Sequence, residues 1–196
     1  MFANRFTVFV DACSLAGALK RNLLLTLAEG DFYRIRWSAL VLDETQRAIE
    51  TILVGKGDAE ASAKAVNART RMEEAFEDAM VVDFEAFLPA CGDLPDPGDA
   101  HVVAAALKTQ AFTIVTENLR DFPSAVLAPL NLEARSTDCF LADAIDLDLG
   151  RAVASIRRMR ERFNRPGLTV PDLLFRMEAD GLTRTVDVLR PHELSL

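Results

Sequence analysis

The segment FTVFV, Phe6 to Val10, is a continuous apolar run rich in β-branched and aromatic residues, and it stops at Asp11. A short run of this composition reads as a strand buried on both faces. The same pattern returns at AFTIVT, which ends at Thr116, while YRIRW from Tyr33 and MVVDF from Met80 read as two further extended segments. Helical spacing separates them. Leu15, Leu19, Leu23 and Leu27 recur behind a Ser14 cap and run to Gly30, and a second helix starts at a Ser38 cap and is broken by GKGD from Gly55. A third, rich in alanine and charge, covers roughly Ala59 to Ala79, and AHVVAAALKTQ forms a fourth. Continuously apolar strands that alternate with helices predict an α/β fold with a parallel sheet covered on both faces. In such a sheet, sites gather outside the carboxyl ends of the strands, which is where Asp11 and the residues after Thr116 fall.

With 196 residues, half of them hydrophobic, the chain can bury a sizeable core without covalent staples. Cys13, Cys91 and Cys139 are scattered without CxxC spacing, which argues against a disulfide framework and against a zinc site. A reducing cytoplasm is the expected location. Arg5 precedes an apolar run, but Asp11 interrupts it, so it does not read as a secretory leader. No stretch reaches the roughly 18 apolar residues that would span a bilayer, and no membrane partner is expected. A net charge of -8 opposes broad attraction to nucleic acid, yet acids gathered in a metal-binding cleft would lower the global charge while the ion reverses the local field.

Each acid also has an ordinary structural explanation. Asp11 can be a turn residue, Glu44 a solvated helix glutamate, and Asp96 followed by Pro97 a helix cap, with Asp99 in the first turn where an acid suits the helix dipole. Asp43 beside Glu44 can take either role, since only one of two adjacent helical residues points at a given place. The loop TENLRDFP supplies Thr116, Glu117, Asn118 and Asp121. The case for a site is convergence, because a parallel sheet would bring these strand ends and helix starts together. Two carboxylates 4 Å apart repel by about 4 kcal/mol at an effective dielectric near 20, so a cluster of three or four needs protons or a divalent cation. Oxygen donors without a nearby histidine or cysteine pair favour Mg²⁺ or Mn²⁺.

FVDACSL, SALVLDET, LPDPGDAHVVAAAL and FTIVTENLRDFP together resemble the PIN-domain nucleases, and more narrowly the VapC-type toxins of prokaryotic toxin and antitoxin pairs, over roughly residues 5 to 135. The resemblance implies a PIN-like nuclease domain over residues 1–138 and a small C-terminal helical appendage over 139–196. It implies catalytic roles for Asp11, Glu44, Asp99 and Asp121, with Asp11, Asp99 and Asp121 as metal ligands and Asp96, Thr116 and Asn118 as additional site residues. Asn118 and Asp121 share the fourth position of the family's pattern, and many relatives carry an aspartate where this chain has Asn118. The implied activity is Mg²⁺-dependent cleavage of a structured RNA, a transfer or ribosomal RNA. The implied partners are that RNA and a VapB-like antitoxin that binds DNA, and the family also forms homodimers.

The appendage opens with LGRAVASIRRMRERFNR, six arginines against Glu161. The run is either a solvated helix face or a surface for RNA or a partner, with Arg157, Arg158 and Arg160 as contacts. Thr169 with Pro171 marks a helix start and Gly181 a stop. His101 and His192 are expected on helix surfaces and Trp37 in the core. A phosphoacceptor receiver domain also places aspartates at strand ends, but it requires an acidic pair after the first strand and a lysine after a late one, and no lysine follows Thr116. A PIN-like module that binds RNA or a partner without cutting is the other alternative.

Overall fold

The structure, a computed structural model, describes residues 6–163 and 167–196. Arg5, ahead of the first apolar run, and Arg165 and Pro166, at the end of the arginine run, lie outside the described residues. Five parallel strands form one sheet in the order β3-β2-β1-β4-β5: β1 Thr7–Val10, β2 Arg34–Ser38, β3 Met80–Val81, β4 Thr113–Val115 and β5 Glu133–Arg135. The chain enters at the centre, builds outward through β2 and β3, then crosses back to β4. The order therefore reverses between β1 and β4, and a crevice opens beyond the carboxyl ends of those two strands. Val8, Phe9, Val10, Ile114 and Val115 are fully buried, as continuously apolar central strands demand.

Helices α1 Ala12–Ala16 and α2 Ala18–Glu29 follow β1, α3 Ala39–Gly55 follows β2, and α4 Ala61–Ala75 precedes β3. The single helix expected from Ser14 to Gly30 is broken at Gly17, which is extended with φ -70° and ψ 124°. The cap is Asp11, not Ser14, because the Ser14 hydroxyl donates to the Val115 carbonyl and accepts from Thr137. Ser38 does cap α3, accepting from the Val41 amide. The third helix is shorter than expected and ends in a separate 3-10 turn at Glu77–Ala79. Only two residues of MVVDF pair as strand, because Asp83 adopts a left-handed φ of 54° and turns the chain away.

A 3-10 turn over Pro97–Asp99 leads into α5 Ala100–Lys108, whose Val102 to Ala106 are completely buried against the sheet. The short α6 Ser124–Leu127 precedes β5, an edge strand of sequence EAR whose half-buried, charged pattern carries no apolar signal. Four helices complete the chain: α7 Thr137–Leu147, α8 Leu149–Glu161, α9 Val170–Ala179 and α10 Thr183–Leu189. Among the described residues they add no strand, and they share one hydrophobic core with the sheet. Phe140 of α7 meets Tyr33 edge-on at 4.8 Å, and α8 lies along α2, where Leu23, Leu24 and Leu27 are fully buried. Each such leucine contributes about 1.5–3 kcal/mol. Thr169 caps α9 and Gly181 ends it in a left-handed turn. Trp37 is fully buried. Among the described residues no helix is long and apolar enough to cross a membrane.

Candidate functional site

Asp11 sits where β1 ends, 7% exposed, and its carboxylate is locked on both oxygens. Oδ1 accepts from the Ala12 amide at 2.7 Å, while Oδ2 accepts from the Thr116 hydroxyl at 2.8 Å and from the Cys13 thiol at 2.9 Å. The Asp11 amide donates to the Val115 carbonyl, so β1 and β4 are tied together at the point where the strand order reverses. Burial, then the charge of Asp11, pushes the Cys13 thiol up to about 11, which keeps it protonated and donating.

Asp99 approaches from the other side, at the start of α5. Asp96 caps the preceding turn by accepting from the Gly98 amide at 2.7 Å, with Pro97 as the first residue of that turn. Asp96 is exposed and satisfied, whereas Asp99 is half-buried and its Oδ2 has no partner. Burial first, and then the charges of Asp11, Asp96, Asp121 and Glu44, push the Asp99 carboxyl up to about 6. Five acids from four separate segments therefore share one region.

The loop after β4 divides its polar residues between two tasks. Burial would raise the Glu117 carboxyl, but Lys20 at 2.7 Å and the Thr137 amide at 3.1 Å outweigh it and hold the group below its ordinary value. Glu117 thus ties the loop to α2 and α7. The Asn118 amide nitrogen donates to Asp121, and the Asn118 backbone amide donates to Thr116. Asn118 serves Asp121 here, leaving Asp121 as the charged group that faces Asp99.

On α3, Asp43 turns outward to pair with Arg69 of α4, while Glu44 turns inward. The expectation that His101 lies on a helix surface is corrected. Its side chain is 12% exposed and its Nε2 lies 3.3 Å from Glu44 Oε1. Among the described residues, the buried side-chain nitrogen and oxygen atoms without a partner are Trp37 Nε1, Asp99 Oδ2 and His101 Nδ1. Two of the three stand within one turn at the start of α5. No periodicity marks His101, because its role depends on a glutamate more than fifty residues away.

Asp11, Asp99, Asp121 and Glu44 offer hard oxygen donors, and the unpartnered Asp99 Oδ2 with its raised proton affinity suits a divalent cation. Among the described residues no three His, Cys, Asp or Glu side chains stand close enough to form a finished metal cage.

The arginines lie elsewhere. Arg162 pairs with Glu29 at the end of α2, Arg151 covers the Phe32 ring at 4.4 Å, and Ser155 abuts Gly30. Helix α8 therefore borders the edge where the strands begin, opposite Asp11. Arg160 donates to the carbonyls of Leu168 and Leu196 and so ties these two segments to α8, whereas Arg157 and Arg158 are exposed. Hollows of about 630 Å³ beside β2 and about 330 Å³ between α2 and α8 include none of Asp11, Glu44, Asp96, Asp99 and Asp121 in their lining.

A family model described as PIN domain matches residues 7–120, more than half of the chain, and one described as VapC50 C-terminal domain matches residues 137–191. A Mycobacterium tuberculosis (strain ATCC 25618 / H37Rv) protein named "Putative ribonuclease VapC50" is 40% identical over 76 residues, covering 39% of this chain and 45% of that relative. The chain thus matches less than half the length of that relative. No solved structure matches at a significant level. The sheet with its acidic carboxyl edge and the match over residues 7–120 lead to one conclusion: the chain belongs to the PIN-domain family.

Proposed function

We propose that this chain is a metal-dependent endoribonuclease, with Mg²⁺ or Mn²⁺ as the ion, that acts as the toxin of a toxin and antitoxin pair and cuts structured RNA such as transfer or ribosomal RNA. The observation that carries the reading is Asp99, a half-buried carboxylate with an unpartnered oxygen among four other acids. Nothing in the core requires that arrangement, which opposes folding unless a cation or protons answer it.

Asp11, Asp99 and Asp121 would hold the ion, whose chemistry is to acidify a water and offset charge on the phosphate oxygens. Asp11 brings an oriented carboxylate, fixed by Ala12, Thr116 and Cys13. Asn118 orients Asp121. Glu44, on the rim and partly exposed, takes a proton from the water as the water oxygen bonds to phosphorus, and the bridging P–O bond breaks with its electron pair leaving on the ribose oxygen, which takes a proton from solvent. Residues 1–138 form the nuclease domain in this reading and 139–196 its extension. The partners are the RNA and a VapB-like antitoxin whose C-terminal segment blocks the acidic edge, with a homodimer as the further assembly and the cytoplasm as the location.

A second reading, a PIN-like module that binds without cutting, draws on two observations. No finished metal cage exists among the described residues, and Asn118 is an amide. Incubating structured RNA with the protein in Mg²⁺, in EDTA, and as Asp11→Asn decides between them. Cleavage confined to the wild type in Mg²⁺ supports the nuclease, equal cleavage in all three marks a contaminant, and none in fresh Mg²⁺ selects the binding module. Expression of the chain alone should arrest growth, and normal growth with soluble protein accumulating removes the toxin role.

A further inference from the structure

We propose that His101 is a positioning residue that holds Glu44 in place for proton transfer, an inference that rests on the nuclease reading above. Glu44 reaches the acidic region from α3, and its charge is among those that raise the proton affinity of Asp99, so like charges push its flexible side chain outward. Its immediate neighbours do not restrain it. Asp43 is engaged by Arg69, Arg47 donates to the Asp43 carbonyl, and Thr45 bonds back to Val41. Among the described residues the group paired with Glu44 is His101.

The imidazole is well placed for that task. It stands on the first turn of α5, two residues beyond Asp99, and is 12% exposed, so burial restricts its rotation. Helix α5 is anchored by five consecutive buried residues, Val102 to Ala106. A carboxylate oxygen only accepts, so Nε2 is the ring nitrogen able to donate to Glu44, whose Oε1 lies 3.3 Å away, close enough to pair though short of hydrogen-bond alignment. Nδ1 is buried without a partner, so nothing competes to turn the ring over. With Oε1 the oxygen beside the ring, Oε2 is the one left for the proton of the attacking water. His101 itself neither gains nor loses a proton in this step, and it ties the helix carrying Asp99 to the helix carrying Glu44.

Four variants and one spectrum test this assignment. His101→Phe preserves a buried ring but not the donor, and removing such a supporting partner should lower kcat for RNA cleavage in Mg²⁺ by about 10- to 100-fold with KM unchanged. His101→Gln carries an N–H at the reach of Nε2 and should restore most of the rate, whereas His101→Asn, which mimics the other nitrogen, should not. In a Glu44→Gln background, His101→Phe should cost nothing more, which a merely structural role would not produce. In metal-free protein, long-range proton–nitrogen spectra should show the Nε2–H form of His101, with resonances that move in Glu44→Gln. Full activity in His101→Phe, an undiminished loss in the Glu44→Gln background, or ring resonances indifferent to Glu44 would each overturn the proposal. A wild type that leaves RNA intact in Mg²⁺ overturns the nuclease reading instead, and the spectrum still decides whether the ring holds Glu44.

Discussion

The two edges of the sheet treat charge in opposite ways. At the carboxyl edge, Asp99 keeps an unpartnered oxygen among four other acids and its carboxyl is pushed up to about 6. At the other edge, α8 and its C-cap carry five arginines, yet Arg157 pairs with Glu161, Arg162 with Glu29, Arg151 with Asp148, Arg158 with the Ser155 hydroxyl, and Arg160 with two backbone carbonyls. The charges on α8 find partners within the fold, so the uncompensated acids at the opposite edge mark the candidate place for something else to bind. An arginine-rich helix is conspicuous in the sequence, but its partners show that much of it is used for packing. The largest expected effect follows from this contrast. Asp11→Asn and Asp99→Asn should each reduce RNA cleavage in Mg²⁺ by at least about 100-fold while circular dichroism remains native. A loss confined to one of them would show that the two acids do not act as one site.

The next effect lies at the other edge. Arg160, a candidate contact for RNA or a partner, directs its guanidinium to the carbonyls of Leu168 and Leu196, and Leu196 is 3% exposed. Arg160→Ala should cost about 1.5–3 kcal/mol, as hydrogen bonds from a charged donor do. For a chain of this length that is a fall in Tm of roughly 3–12 °C. Cleavage per folded molecule should be unchanged. Lost RNA binding at full stability would instead place Arg160 on the substrate surface.

Sequence reading reached what local chemistry decides. The order of strand, acid and helix, the Ser38 cap, the Asp96–Pro97 start ahead of Asp99 and the Thr169 start of α9 all depend on residues a few positions apart. It failed where a distant segment competes for a side chain. The Ser14 hydroxyl is taken by Val115 and Thr137, so the cap moved to Asp11 and the helix broke at Gly17. His101 faces a glutamate on another helix, and β5 is set by its pairing with β4 rather than by apolar content. Which acids face one another is likewise a property of the crossover, not of spacing.

A smaller effect concerns pH. In metal-free protein the Asp99 carboxyl lies at about 6, against an ordinary 3.8, so the folded state binds this proton more tightly than the unfolded chain. The resulting stabilisation is present below about pH 4 and lost as pH rises through about 6. Asp99→Asn does not ionise, so in EDTA it should be more stable than the wild type at pH 7.5, with the gap closing towards pH 4. Partial exposure of the group keeps the difference small. Urea melts at both pH values test the sign, and added Mg²⁺ should stabilise the wild type more than the variant. A gap that widens as pH falls would show that the acids do not repel one another as the geometry implies.

The smallest effect is expected at Arg157, and it is the sharpest test of the contrast. Its guanidinium meets Glu161 at 2.9 Å with both side chains about half exposed, an i,i+4 pair of the kind worth about 0.3–0.5 kcal/mol. Arg157→Ala should therefore shift stability by less than about 0.5 kcal/mol, and, lying beside the edge opposite Asp11, should leave kcat unaltered. Binding of a nicked or chemically blocked RNA, measured across salt concentrations, separates two outcomes. An unchanged salt slope keeps α8 a packing element. A slope reduced by about one in both Arg157→Ala and Arg158→Ala would mean that each cation neutralises a phosphate, and that a long RNA wraps from the acidic edge around to the arginine helix.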